Sequence, residues 1–140
     1  VAQQFAIGKH ISRAGLIPII EPEIDINCTE KSAAEAMLKE QLLLQLDQLN
    51  DEQRVMLKLT PPEQANFYSD CINHPKVIRV VALSGGYNRT EANRRVAENQ
   101  GMIASFSRAL TEGLSAQQSD DAFNDTLNHS IESIFQASKT

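Results

Sequence analysis

The chain has 140 residues, 41% of them apolar and 22% charged, with a formal net charge of -5 and a pI near 5.1. That balance fits one ordinary folded domain over residues 1–140 with no internal boundary. An acidic chain without a clustered basic face argues against nucleic acid or an anionic membrane as partner, although a small phosphate needs only one or two cations.

In chain order, residues 2–13 read as a helix with Phe5, Ile7 and Ile11 as apolar positions, stopped near Ala14-Gly15. Residues 17–21 form a short apolar strand that runs into Glu21-Pro22-Glu23. A long helix follows from Thr29 or Ser32 to Leu49. Ser32 and Glu35 have capping-box spacing, and Met37, Leu38, Leu42, Leu44, Leu46 and Leu49 are its expected buried side. Residues 55–58 are a second strand ending in Lys58. Pro61-Pro62 stops it and opens a helix expected over 63–73. The strongest strand, 77–83, ends in Ser84-Gly85-Gly86, followed by a helix over 89–99. A fourth strand over 102–106 leads to Ser107 and Arg108. A last helix opens at Ser119 with Asp120 and Asp121 at its positive end and carries Phe123, Leu127, Ile131 and Ile134 as one stripe.

Alternating short apolar strands and amphipathic helices imply parallel pairing with right-handed crossovers. Four such units are half of what a closed eight-stranded barrel needs, and barrels usually take about 250 residues. Composition fits both a small doubly wound domain and half of a barrel. No stretch reaches the roughly 18 apolar residues of a membrane span. No signal-peptide pattern opens the chain, which begins at Val1. Cys28 and Cys71, without CxxC spacing, read as reduced cytosolic thiols. The Asn-x-Ser/Thr triplets at Asn27, Asn88, Asn124 and Asn128 read as chance matches in a polar chain.

In parallel α/β proteins chemistry sits at the C-terminal ends of strands, and all four strands here end in polar residues. Lys58 is the informative one. An amine drawn out of water into a β-core can become a nucleophile, and a carboxylate on the adjoining strand can move the protons of imine chemistry. Glu21 and Glu23, two apart, share a face of an extended chain. The competing readings are an exposed acidic loop and a lysine whose stem covers apolar surface while its head reaches water. Ser84-Gly85-Gly86 before a helix suits an anion such as phosphate, and Arg108 on the next strand would add a guanidinium. A plain glycine turn and a surface ion pair are the alternatives. His10, His74 and His129 have no metal-ligand spacing, and GxSxG, GxGxxG and P-loop patterns are absent.

Four segments, IPIIEPEIDIN, VMLKLTPP, HPKVIRVVALSGGYNRTEAN and MIASFSRAL, resemble in content, order and spacing the C-terminal half of a class I fructose-bisphosphate aldolase of the short bacterial type. The resemblance implies units five to eight of a (β/α)8 barrel, plus the helix before them. It implies reversible cleavage of fructose 1,6-bisphosphate to dihydroxyacetone phosphate and glyceraldehyde 3-phosphate, in glycolysis or gluconeogenesis, without metal or cofactor. Lys58 would form the Schiff base, Glu21 would be the general acid/base, and Glu23 would tune the lysine. Ser84, Gly85, Gly86 and Arg108 would form the C1-phosphate site. The implied partner is the N-terminal half of the barrel or another chain, in an oligomer. An isolated half would lack the first-half residues that handle the aldehyde end. That leaves two alternatives: a non-catalytic half-barrel binding sugar phosphate, or a lysine aldolase for another ketose phosphate.

Overall fold

The computed structural model describes residues 1–140. Its elements are α1 (Ala2–Arg13), β1 (Ile19–Ile20), α2 (Lys31–Asp47), β2 (Val55–Leu59), α3 (Ser69–Ile72), β3 (Val77–Ala82), α4 (Arg89–Ala97), β4 (Met102–Ala104), α5 (Arg108–Thr111) and α6 (Asp120–Ala137). The strands form one parallel sheet in the order β1-β2-β3-β4. A doubly wound sheet reverses its order at a switch point, and this one does not. Sequential parallel winding is the arrangement of a barrel fragment.

The core lies between the sheet and the helices. Strand β2 alternates: Val55, Leu57 and Leu59 are buried, while Met56 and Lys58 turn to the opposite face. Phe5 of α1, Leu38, Leu42 and Leu46 of α2, Val80 and Ala82 of β3, Val96 of α4 and Met102 of β4 belong to the same cluster. The opposite face carries the paired row Ile19, Met56 and Arg79, and no helix covers it; Ile19 and Arg79 are exposed.

Several elements differ from expectation, each for a physical reason. Strand β1 keeps only two residues of the expected five. Pro18 and Pro22 lack N–H groups, and β1 has β2 on one side only. On α2, Met37 and Leu44 are exposed. Buried Leu38, Leu42, Leu46 and Leu49 follow helical spacing, and residues two or five positions from Leu42 fall on the far side. The Ser32–Glu35 capping box does not form, because Glu35 is turned inward. The helix expected over 63–73 shrinks to Ser69–Ile72. Asn66 sits at φ 61, its N–H donates to Asn99 Oδ1 at 2.8 Å, and the Glu63 N–H donates to Glu35 Oε1 at 3.1 Å. Distant side chains have taken the donors that an early helical turn would present.

Helix α6 packs on α4 and α5 through small groups. Arg89 of α4 reaches buried Ser130 Oγ at 2.5 Å and the Glu112 carbonyl at 3.0 Å. Ala137 is also buried. The expected stripe therefore stays open: Phe123 and Ile131 are exposed, and Leu127 and Ile134 are half-buried. No helix is long and apolar enough to cross a membrane.

Candidate active site

Because all four strands are parallel, their C-terminal ends meet on one edge of the sheet. A polar cleft of about 110 Å³ lies there. The loop after β1 contributes Glu21 and Glu23, β2 contributes Lys58, and the turn after β3 contributes Leu83, Ser84 and Gly85. The segment after β4 contributes Ser105, Ser107 and Arg108. Six of the seven residues singled out in the sequence thus line one small space.

Lys58 pairs in register with Val81, and Leu83 N–H donates to the Leu59 carbonyl at 3.0 Å, so β2 and β3 stay zipped past the lysine. The Lys58 Nζ lies 2.8 Å from Glu21 Oε1. The side chains are 25% and 46% exposed. The adjacency expected from neighbouring strands is present; the dryness is not, since in this chain the pair is an ion pair open to water on one side. Glu23 lies in the same cleft, two residues on, past Pro22.

The anion side of the cleft rests on backbone geometry. Gly85 and Gly86 have φ of +63 and +104, a region where only glycine sits without strain. A Cβ on Gly85 would come within 3.0 Å of Ile26 and 3.1 Å of Leu83. Neither glycine N–H donates to a backbone carbonyl, so both donors remain available. Gly86 itself does not line the cleft; it packs beside Ile26 and shapes the turn. Arg108 opens the short helix α5 instead of ending a strand, and its guanidinium makes no ion pair.

Sequence reasoning missed a buried charge cluster behind the cleft. Lys31 and Glu35, 5% and 1% exposed, are ion-paired one helical turn apart. Lys31 Nζ also donates to the Pro61 carbonyl at 3.0 Å and reaches Glu63 Oε1 at 3.3 Å. Burial pushes the Glu63 carboxyl up, but the charges and hydrogen bonds of Lys31 and Arg95 together outweigh it and leave the carboxyl below its usual range. The cluster pins the segment that leaves β2 three residues after Lys58. The i, i+4 spacing of Lys31 and Glu35 was its visible signal. The largest cleft, about 500 Å³, lies elsewhere, between β4 and α6; it is apolar, with no titratable group in its lining.

No protein-family model matches the chain. Curated proteins do, from end to end. The chain is 62% identical over 140 residues to "Fructose-bisphosphate aldolase class 1" of Synechocystis sp., covering 100% of the chain and 47% of that protein. It is 56% identical over 138 residues to the protein of that name from Porphyromonas gingivalis, covering 99% of the chain and 46% of the relative. It is 52% identical over 140 residues to the one from Clostridium acetobutylicum, covering 48% of the relative. The chain spans about half the length of these relatives. By sequence, then, it is a relative of the class 1 fructose-bisphosphate aldolases along all of its 140 residues and corresponds to about half of one.

Proposed function

We propose that these residues are units five to eight of a (β/α)8 barrel and carry the Schiff-base half of a fructose 1,6-bisphosphate aldolase site. The observation that carries the reading is the 2.8 Å contact between Lys58 Nζ and Glu21 Oε1, in one cleft with Arg108 and the Ser84-Gly85 turn. In the cycle, the deprotonated Lys58 amine attacks the ketose carbonyl, and Glu21 protonates the departing water to leave an iminium. The Glu21 carboxylate takes the C4 hydroxyl proton, the C3–C4 bond breaks, glyceraldehyde 3-phosphate leaves, and the bond's electrons flow into the iminium as an enamine. Protonation and hydrolysis then release dihydroxyacetone phosphate and return the amine. Glu23 tunes the charge of the pair. Arg108 and the free glycine N–H groups hold the C1 phosphate, which places the carbonyl against Lys58. The iminium is the electron sink, so these steps call on no metal or cofactor.

The remaining half of the barrel closes over Lys58, excludes water from the ion pair and supplies the groups for the aldehyde end. It is supplied by the rest of a longer polypeptide or by another chain, in an oligomeric enzyme of the cytosol. The test is complementation. The chain combined with the missing half of the Synechocystis relative yields glyceraldehyde 3-phosphate from fructose 1,6-bisphosphate, and Lys58→Arg abolishes it. An assembled pair in which Lys58→Arg keeps its activity refutes the assignment.

One observation favours a second reading, a half-barrel that binds sugar phosphate without turnover: the Lys58–Glu21 pair is open to water in this chain. That reading predicts phosphate binding that depends on Arg108 and no covalent adduct. A lysine aldolase for a different ketose phosphate would differ from the first reading only in its preference among ketose mono- and bisphosphates.

A further inference from the structure

Strand β1 pairs with β2 through Ile19 and Ile20 alone, so the loop bearing Glu21 and Glu23 leaves the sheet almost at once. No backbone hydrogen bond ties residues 21–24 to β2. Yet Glu21 must be held within hydrogen-bond reach of Lys58 for proton transfer, where a shift of about 1 Å matters. Gln4 of α1 donates to the Glu21 carbonyl at 3.2 Å, and from the β2 side one hydroxyl ties down the loop. Thr60, 1% exposed and two residues past Lys58, accepts a hydrogen bond on Oγ1 from the Ile24 N–H at 3.0 Å. Its hydroxyl donates to the Ile24 carbonyl, also at 3.0 Å. Its methyl faces the opposite wall, where Cγ2 stands 3.6 Å from the Cβ position of Gly85. Thr60 therefore touches both the acidic loop and the glycine turn.

We propose that Thr60 is a positioning residue: its hydroxyl clamps the loop after β1 onto the end of β2 and thereby sets the Lys58–Glu21 contact. The inference deepens the Schiff-base reading and rests on it for its catalytic meaning, but the clamp is testable without substrate. A Thr60→Val variant keeps the shape and the methyl and loses both bonds. Thr60→Ser keeps the hydroxyl.

The experiment is pulse labelling of the 140-residue chain with acetic anhydride from about pH 6 to pH 10. The Lys58 peptide is quantified by mass spectrometry against the half-buried Lys9 of α1, which has no ion-pair partner. Glu21→Gln gives the reference for a released amine, with Lys58 labelled about threefold faster near neutral pH, the scale of one half-exposed ion pair. The expected result is that Thr60→Val moves the Lys58 profile onto that of Glu21→Gln, while Thr60→Ser keeps the wild-type profile and Lys9 is unchanged in all. A wild-type Lys58 profile in Thr60→Val overturns the clamp, whatever the variant's melting temperature, and so do the two Thr60 variants behaving alike. Should Thr60→Val not fold, amide exchange in the wild type decides: the Ile24 N–H is protected if the bond holds, and exchange at the rate of an open loop overturns it. Since no sugar phosphate is present, loss of the aldolase reading would leave this outcome intact, and the reverse also holds.

Discussion

At Gly85 the backbone adopts a left-handed conformation while Ile26 and Leu83 crowd the place where a side chain would stand. Gly85→Ala should cost about 1–2 kcal/mol from the left-handed backbone alone. It should also push Ile26 and widen the anion turn, which a urea titration paired with a phosphate titration would register together. Cys71 is a second residue with a measurable signature. Burial pushes its thiol up to about 11 from an ordinary 9.0. The sign follows directly. Below pH 9 both folded and unfolded thiols are protonated and the thiol leaves stability unchanged with pH. As pH rises from 9 toward 11 the unfolded thiol ionises first, so the folded state loses stability over that window. The wild type should therefore lose up to about 3 kcal/mol more than Cys71→Ala between those limits. Parallel pH curves for the two proteins would show that the thiol is not held in its buried state.

At the scale of elements, what was legible in the sequence was what depends on near neighbours. Helix α1 ends where Gly15 says it should, β3 follows its run of valines, and Lys58 meets Glu21 because parallel strands align their polar ends. What was not legible depends on partners far along the chain. The stretch after Pro62 has helix-forming composition, but Glu35, 28 residues earlier, captures the Glu63 N–H, and Asn99 captures that of Asn66. Thr60 was equally hidden, since its partner Ile24 lies 36 residues away. Helix α4 shows a local device at work. Its N-cap Asn88 accepts from the Glu91 N–H at 2.9 Å, so Asn88→Ala should cost about 1 kcal/mol in urea denaturation. In the same helix, Glu91 is hydrogen-bonded by Arg94, which holds its carboxyl down at about 2. Its contribution is present above pH 4.5 and fades as pH falls toward 2. Glu91→Gln should flatten that acid limb, although the group's exposure keeps the effect small.

For the whole molecule, surface is the telling quantity. The chain exposes 7921 Å², against roughly 7,200 Å² for a compact monomer of its mass. Exposed apolar side chains stand at both edges of the sheet. Ile7 and Ile11 of α1 flank the β1 edge, and Ile131 and Phe135 of α6 flank the β4 edge; all four are exposed. Both edge strands also present unpaired backbone groups. The 140-residue chain alone should therefore run in light scattering as an associated species, and addition of the complementary half should convert it to a defined complex. A stable, soluble monomer up to high concentration would contradict this picture of two open edges.

The proposed nucleophile is Lys58 and no other lysine. Its role is tested most directly by borohydride reduction of the assembled barrel in the presence of dihydroxyacetone phosphate, followed by peptide mass spectrometry. The reduced adduct is expected on the peptide containing Lys58, with slower trapping in Glu21→Gln and a need for more ligand in Arg108→Ala. An adduct on Lys31, Lys39 or Lys76 instead, or none at all under saturating ligand, would contradict it.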